Sequence, residues 1–143
     1  VMRYAGDMNP MSIEDCKKDL QRVMAFYDKE PIHFRLWAVC LKENGEMIGT
    51  GALITENGKH EIGYRMREKF WGNGYGTELN QGILELGFEH YQFDLLWAEA
   101  DQRNTASVRI LDQSLKRIKA FFNEESKTDD FYYELTREEY EAK

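Results

Sequence analysis

Apolar residues change their period along this chain, and each change marks an element. Cys16, Leu20, Val23, Met24 and Tyr27 recur at helical spacing behind Ser12, which offers an N-cap oxygen with Asp15 three positions on; Pro31 closes that stretch. From Phe34 the pattern turns aromatic and β-branched, in the runs FRLWAVCL, MIGTGALI and HEIGYRM. Asn44-Gly45 and Asn57-Gly58 separate them, and Asn-Gly supplies the left-handed residues of a tight hairpin, so an antiparallel meander is expected. A helix is predicted over Tyr75 to His90, turning Leu79, Ile83, Leu86 and Phe88 inward. LLWAEA, Leu95 to Ala100, reads as a short strand, and Asn104 opens a helix carrying Val108, Ile110, Leu111 and Leu115. Strands over Arg117–Phe122 and Phe131–Leu135 follow, then a capping box of Thr136 with Glu139. The order α-β-β-β-α-β-α-β-β gives a mixed α/β fold, a largely antiparallel central sheet flanked by helices.

Length and charge narrow the picture. A chain of 143 residues suits one domain, residues 1–143. Its formal charge of −7 argues against a nucleic-acid backbone or an anionic membrane as main partner and is compatible with a cationic substrate. No apolar run is long enough for a membrane span, and no basic stretch leads into an apolar one at the start. Cys16 and Cys40 have no metal or disulfide spacing and read as reduced, buried thiols of a cytoplasmic protein. His33, His60 and His90 are scattered, so no metal is expected.

The stretch FWGNGYGTEL sets Gly72, Gly74 and Gly76 just ahead of a helix. Glycine is costly in ordered backbone, so bare positions need a reason. One reason is a phosphate, which reaches free amides and the positive end of a helix where no Cβ intervenes. The other is a tight strand-to-helix turn with no ligand. A dinucleotide fingerprint needs glycine where Thr77 stands, and the nucleotide P-loop needs Gly-Lys-Ser/Thr, which is absent.

Met66-Arg67-Glu68-Lys69-Phe70-Trp71-Gly72-Asn73-Gly74-Tyr75-Gly76-Thr77-Glu78, together with Asn104-Thr105-Ala106-Ser107, resembles the GNAT acetyltransferase superfamily and its RimJ/RimL-like branch. EIGYRM and the closing YYELTREEY add to the resemblance, and Trp71 stands at the first position of the loop signature. The resemblance implies a GNAT-like acyl-CoA N-acyltransferase fold, lacking most of a first strand. It implies acetyl-CoA as cosubstrate, without a metal, and a small-molecule or peptide amine as acceptor, in a monomer or homodimer. The amides from Trp71 through Gly72, Asn73, Gly74, Tyr75 and Gly76 would hold the pyrophosphate, with the Thr77 hydroxyl beside them. Met66 and Arg67 would pair their backbone with the pantetheine arm where two strands splay, and an N–H near Met66 would face the thioester oxygen. Asn104 would bond the pantetheine or the substrate, and the Ser107 hydroxyl would reach the departing sulfur.

A base or a water chain must take a proton from the attacking ammonium. Strand alternation puts Glu61, Gly63 and Arg65 on one face and Ile62, Tyr64 and Met66 on the other, and Glu61 is the base candidate. Its place after a turn also suits a solvated strand-end carboxylate, and Asn104 or Thr105 also suits a plain helix cap. Tyr132 and Tyr133 are a second source of a phenolic donor, one of them facing the core. Trp37 and Trp97 read as core or pocket wall, and Met8, Met11 and Phe26 as packing or an acceptor groove. The family's Leu-Gly-Phe turn after the Asn104 helix is missing at Leu115-Lys116, so that turn is built differently or residues are omitted there. The rival reading is a non-catalytic module that binds or senses coenzyme A.

Overall fold

The computed structural model describes residues 13, 14, 17, 18, 21, 22 and 33–143; the first six of these are helical. Ser12, Cys16, Leu20, Val23, Met24 and Tyr27, and with them Met8, Met11 and Phe26, lie outside the described residues. Strands β1 (Phe34–Cys40), β2 (Met47–Glu56) and β3 (Lys59–Met66) come first. A 3₁₀ turn (Glu68–Phe70) then leads to helix α1 (Tyr75–Glu85). A π turn (Leu86–His90), β4 (Leu95–Asp101), α2 (Thr105–Ser114), β5 (Lys116–Asn123), β6 (Thr128–Thr136) and α3 (Arg137–Glu141) complete the order. The six strands form one sheet in the order β1-β2-β3-β4-β6-β5. The mixed, mostly antiparallel sheet is the one expected.

Turn chemistry explains the meander only in part. Glu56 pairs with Lys59 across Asn57 (φ 53°) and Gly58 (φ 74°), the two-residue turn that Asn-Gly favours. Asn44-Gly45 is different. Cys40 pairs with Met47, so residues 41–46 make a longer loop in which Gly45 alone of the pair has positive φ, and Asn44 Oδ1 accepts from the Glu46 amide. The expected helix to His90 widens after Glu85 into the π turn, with the Tyr91 amide on the Leu86 carbonyl, and there Gly87 lies so close to Leu96 that a Cβ would sit 2.7 Å from its Cδ1.

One face of the sheet carries the core. Leu53, Ile62, Leu96, Ala98, Tyr133 and Leu135 meet Ile83, Leu84 and Phe88 after the loop, and Leu111 of α2. Gly51 leaves room for Leu79 and Ile83. Trp37 packs on this core and borders an apolar cavity of about 340 Å³ between β1 and α1. Cys40 is exposed, contrary to the buried thiol expected, because it ends β1 at the sheet's edge.

The two helices on this face run in parallel: a Cβ on Gly76 would meet Ile110 Cδ1 at 2.9 Å, and Asn80 Nδ2 donates to Ser114 Oγ at 2.7 Å, each pair four residues after the last. After Ser114 the chain turns without glycine. Leu115 is extended (φ −118°, ψ 172°), its N–H on the Leu111 carbonyl, and burying its side chain fixes the turn. The register then slips between Arg117 and Lys119, leaving Ile118 exposed. The capping box at Thr136 and Glu139 forms as expected.

The join between β3 and β4 matters most for function. These strands are parallel and pair only at His60–Leu96 and Glu61–Trp97, although β3 stays paired with β2 as far as Met66. Beyond Glu61 the two halves of the sheet part. The Arg67 amide donates to the Ile48 carbonyl, so alternation turns the main-chain groups of Met66 and Tyr64 away from β2, towards the gap.

Leu53 is fully buried at the centre of the core, whereas Ile118 sits on the exposed bulge. Leu53→Ala should lower unfolding free energy by about 3 kcal/mol and Ile118→Ala by under about 0.5 kcal/mol, read from denaturant midpoints at unchanged m.

Candidate active site

The loop after β3 is held by its own side chains. Trp71 Nε1 donates to the Met66 carbonyl at 2.8 Å, and Asn73 Nδ2 to the carbonyls of Phe70 (3.1 Å) and Trp71 (3.2 Å). Arg67 reaches back to the Met47 carbonyl at 3.1 Å and to Glu46. Tyr75 meets the Phe70 ring edge-on. These side chains shape the loop, and the backbone at Gly72 and Gly74 is exposed beside them.

Gly72 (φ 79°) and Gly74 (φ 81°) adopt left-handed conformations, with open space where a Cβ would be. Gly74 is the N-cap of α1 and, having no side chain, leaves the first turn without a side-chain cap. The first-turn amides and the positive helix end therefore stay open to an acceptor from outside, next to exposed Thr77. Gly76 is bare for a different reason: it lets α2 approach through Ile110. Sequence spacing groups the three glycines, and the structure divides them into two conformational positions and one packing position.

At the far side of the gap α2 begins. Asn104 caps it, its Oδ1 accepting from the Ser107 amide at 3.2 Å, so the plain capping reading is realised in the geometry. Ser107 Oγ lies 3.4 Å from the Tyr64 hydroxyl, which comes from the core face of β3. Tyr64 was not singled out in the sequence. Its alternation with Ile62 and Met66 was the available signal, but nothing local marked α2 as its neighbour.

Glu61 stands on the opposite face of β3 and is no solvated strand end. Burial pushes its carboxyl up to about 7, with further upward pressure from the charges of Glu99, Glu56 and Glu125. Glu99, next along that face, is also raised, mainly by burial and then by Asp130 and Glu125. Asn123 Nδ2 ties the row together, donating to Glu99 Oε2 (3.3 Å) and Asp130 Oδ2 (2.9 Å). Trp97, paired with Glu61, stacks on Tyr132 at 5.6 Å, and its Nε1 is enclosed without a hydrogen-bond partner among the described residues.

The two candidate phenols are committed elsewhere. Tyr133 is buried in the core and donates to Asp112 Oδ1 at 3.0 Å. Tyr132 donates to Glu134 Oε1 at 2.9 Å, and burial with that carboxylate pushes its phenol up to about 12. The structure thus brings Met66, the glycine loop, Asn104 and Ser107 to one end of the gap, with Glu61 on the other face of the same strand.

Two measurements check this geometry. Gly76→Ala should leave stability within about 1 kcal/mol of wild type, helix propensity gained by alanine being offset by displacement of the Ile110 Cδ1 methyl, and should become clearly stabilising in an Ile110→Val background; a thermal-melt double-mutant cycle reads it. For Glu61 the folded-state value lies above the unfolded one, so its stabilising protonated form is present at low pH and is lost as pH rises through about 7. Glu61→Gln should therefore raise stability relative to wild type by up to about 3 kcal/mol near pH 8 and by little near pH 4, in denaturant titrations at both.

Comparisons with known proteins agree with the architecture. The family model "Acetyltransferase (GNAT) domain" matches residues 1–114. The "Uncharacterized N-acetyltransferase p20" of Bacillus licheniformis is 32% identical over 78 residues, covering 52% of this chain and 44% of that protein. The chain spans about half the length of the first curated relatives it matches. A GNAT-family acetyltransferase from Bacillus anthracis superposes with a TM-score of 0.80 at 22% identity, covering 96% of this chain and 82% of that one. A chimera of the Vibrio cholerae spermidine N-acetyltransferase SpeG with hSSAT gives 0.74 at 14%, covering 93% and 84%. At such identities the structural likeness is one of fold. The family match takes in most of the chain, which belongs to the GNAT acetyltransferase family.

Proposed function

We propose that residues 1–143 act as one acetyl-CoA-dependent N-acetyltransferase domain of the RimJ/RimL-like kind, moving an acetyl group to a cationic primary amine in a ternary complex. The observation that carries the reading is the parting of β3 and β4 beyond Glu61, with an uncapped helix start one loop away. The residues present suit the coenzyme: left-handed Gly72 and Gly74 have open space in front of them, and the amides of the first turn of α1 lack a side-chain acceptor. When bound, acetyl-CoA supplies an acyl carbon activated by its thioester, and C–N replaces C–S.

The chain's own groups then have distinct tasks. Backbone from Gly72 to Gly76, with Thr77, holds the pyrophosphate, and Trp71 and Asn73 keep that backbone in shape. Met66 and Arg67 border the gap, and the Met66 N–H, turned towards it, is the donor for the developing negative oxygen. Asn104 orients Ser107, whose hydroxyl bonds the departing sulfur. Glu61 accepts a proton from the ammonium, and a carboxylate titrating about 7 is matched to that task near neutral pH. The amine gives up two protons in all; one leaves through Glu61 to solvent and the other ends on the thiol.

The carboxylate row supports a cationic acceptor. Glu61, Glu99 and Asp130 share one face of the sheet with Trp97 and Tyr132, so an ammonium there relieves like-charge repulsion and meets aromatic faces. One neighbour of the same fold is named for spermidine.

Thiol release from acetyl-CoA, measured against polyamines, small amines and N-terminal peptides, tests the proposal. Turnover is expected with polycationic amines, with kcat/KM rising with pH through about 7 as Glu61 loses its proton. Glu61→Gln should lower kcat/KM by about 10² or more and erase that inflection. Coenzyme binding with no turnover on any amine would remove the enzyme and leave a coenzyme-binding module.

A further inference from the structure

Tyr64 is absorbed by none of the roles above, yet it occupies a telling position. It lies two residues before Met66 on β3, and its hydroxyl comes within 3.4 Å of Ser107 Oγ in the first turn of α2. That contact joins the strand on one side of the gap to the helix that follows the strand on the other. Ser107 is fixed from below as well, its amide held by Asn104 Oδ1.

A serine hydroxyl has one proton and two lone pairs. If Ser107 donates to Tyr64, nothing remains to donate to a sulfur. If Tyr64 donates to Ser107, the serine proton is free to point onward. The phenol's surroundings decide between these. Burial is the main influence on Tyr64 and pushes its ionisation up, Tyr133 adds to this, and the Ser107 bond opposes it. Tyr64 is thus a neutral phenol, able to donate or accept; its one hydrogen-bond partner among the described residues is Ser107 Oγ, so its enclosed O–H donates there and leaves the Ser107 proton to face the gap.

We infer that Tyr64 is a positioning residue, whose O–H donates to Ser107 Oγ and so directs the Ser107 proton at the coenzyme sulfur. No proton changes owner between the two hydroxyls; the pair supplies an aligned hydrogen bond. The separation of 3.4 Å is long for O–H···O, as active-site contacts often are before the ligand draws them in. This inference rests on the acetyl-CoA reading above.

The test compares coenzyme A with desulfo-coenzyme A, which lacks only the sulfur, by calorimetry on the full chain. Titrations at about pH 7 and about pH 9.5 compare the coenzyme's thiol with its partly ionised thiolate, an alkyl thiol ionising above the value of about 8.5 usual for cysteine. In the wild type, preference for coenzyme A over the desulfo form should grow about tenfold at the higher pH, as the bound thiolate accepts a charge-assisted bond. Ser107→Ala should abolish that gain, Tyr64→Phe should cut it to about threefold, and Tyr64→Phe should add nothing in the Ser107→Ala background. A Tyr64 that only packs would weaken both ligands alike and leave the ratio unchanged, and that result, or additive effects in the cycle, would overturn the inference. Should Tyr64→Phe not fold, Ser107→Ala still decides: a full pH-dependent preference without the serine leaves Tyr64 nothing to position. Equal binding of both ligands by the wild type sinks the Tyr64–Ser107 pair alone, whereas no binding of either removes the coenzyme reading with it.

Discussion

Two residue pairs hold the halves of this sheet together at β3 and β4, and the gap beside them follows from where that pairing stops. Each strand is satisfied along its other side, β3 by β2 up to Met66 and β4 by β6 from Leu95 to Asp101. Main-chain groups beyond Glu61 and Trp97 therefore face one another across a gap instead of bonding. Unpaired backbone is costly when buried, so such a gap persists only where something else covers it. The Trp71 indole covers the Met66 carbonyl, and the start of α2 reaches across one face through Ser107 and Tyr64. The remaining open backbone is available to an extended ligand with its own amides.

The gap also separates two kinds of chemistry. Tyr64 and Ser107 lie on the core face, among helices and neutral side chains. Glu61, Glu99 and Asp130 lie on the other face, where burial raises Glu61 and Glu99, the Glu99 charge adding to the first and the Asp130 charge to the second. A row of this kind works against the folded state at neutral pH. Its persistence is physically coherent where a positive group is the normal occupant. A single strand, β3, contributes to both sides because alternation sends neighbouring residues to opposite faces.

Much of the architecture was legible because its signals are local. Period-two runs, the Asn57-Gly58 turn and the Thr136–Glu139 box each fix their own few residues, and they formed as read. The glycine loop was legible as a group but not in its parts, since what crowds Gly76 is Ile110, distant in sequence. Asn44-Gly45 misled because Asn-Gly also fits inside a longer loop. Glu61 looked like a strand end because its burial and its repulsion by Glu99 come from β4 and beyond, which no local pattern encodes. Tyr64 escaped for the same reason, its partner lying on a helix after a different strand.

The same-direction packing of α1 and α2 has a wider consequence. Gly76 against Ile110 and Asn80 against Ser114 keep the two helices in step, so both start at the same edge of the molecule. Side-by-side macrodipoles pointing one way repel, and a bare glycine at the crossing brings them closer still. Their combined field at that edge is stronger than either helix alone would produce. An anion held at that edge would be attracted by both at once and would lessen the repulsion between them, tying the cohesion of the two helices to what occupies the space before them.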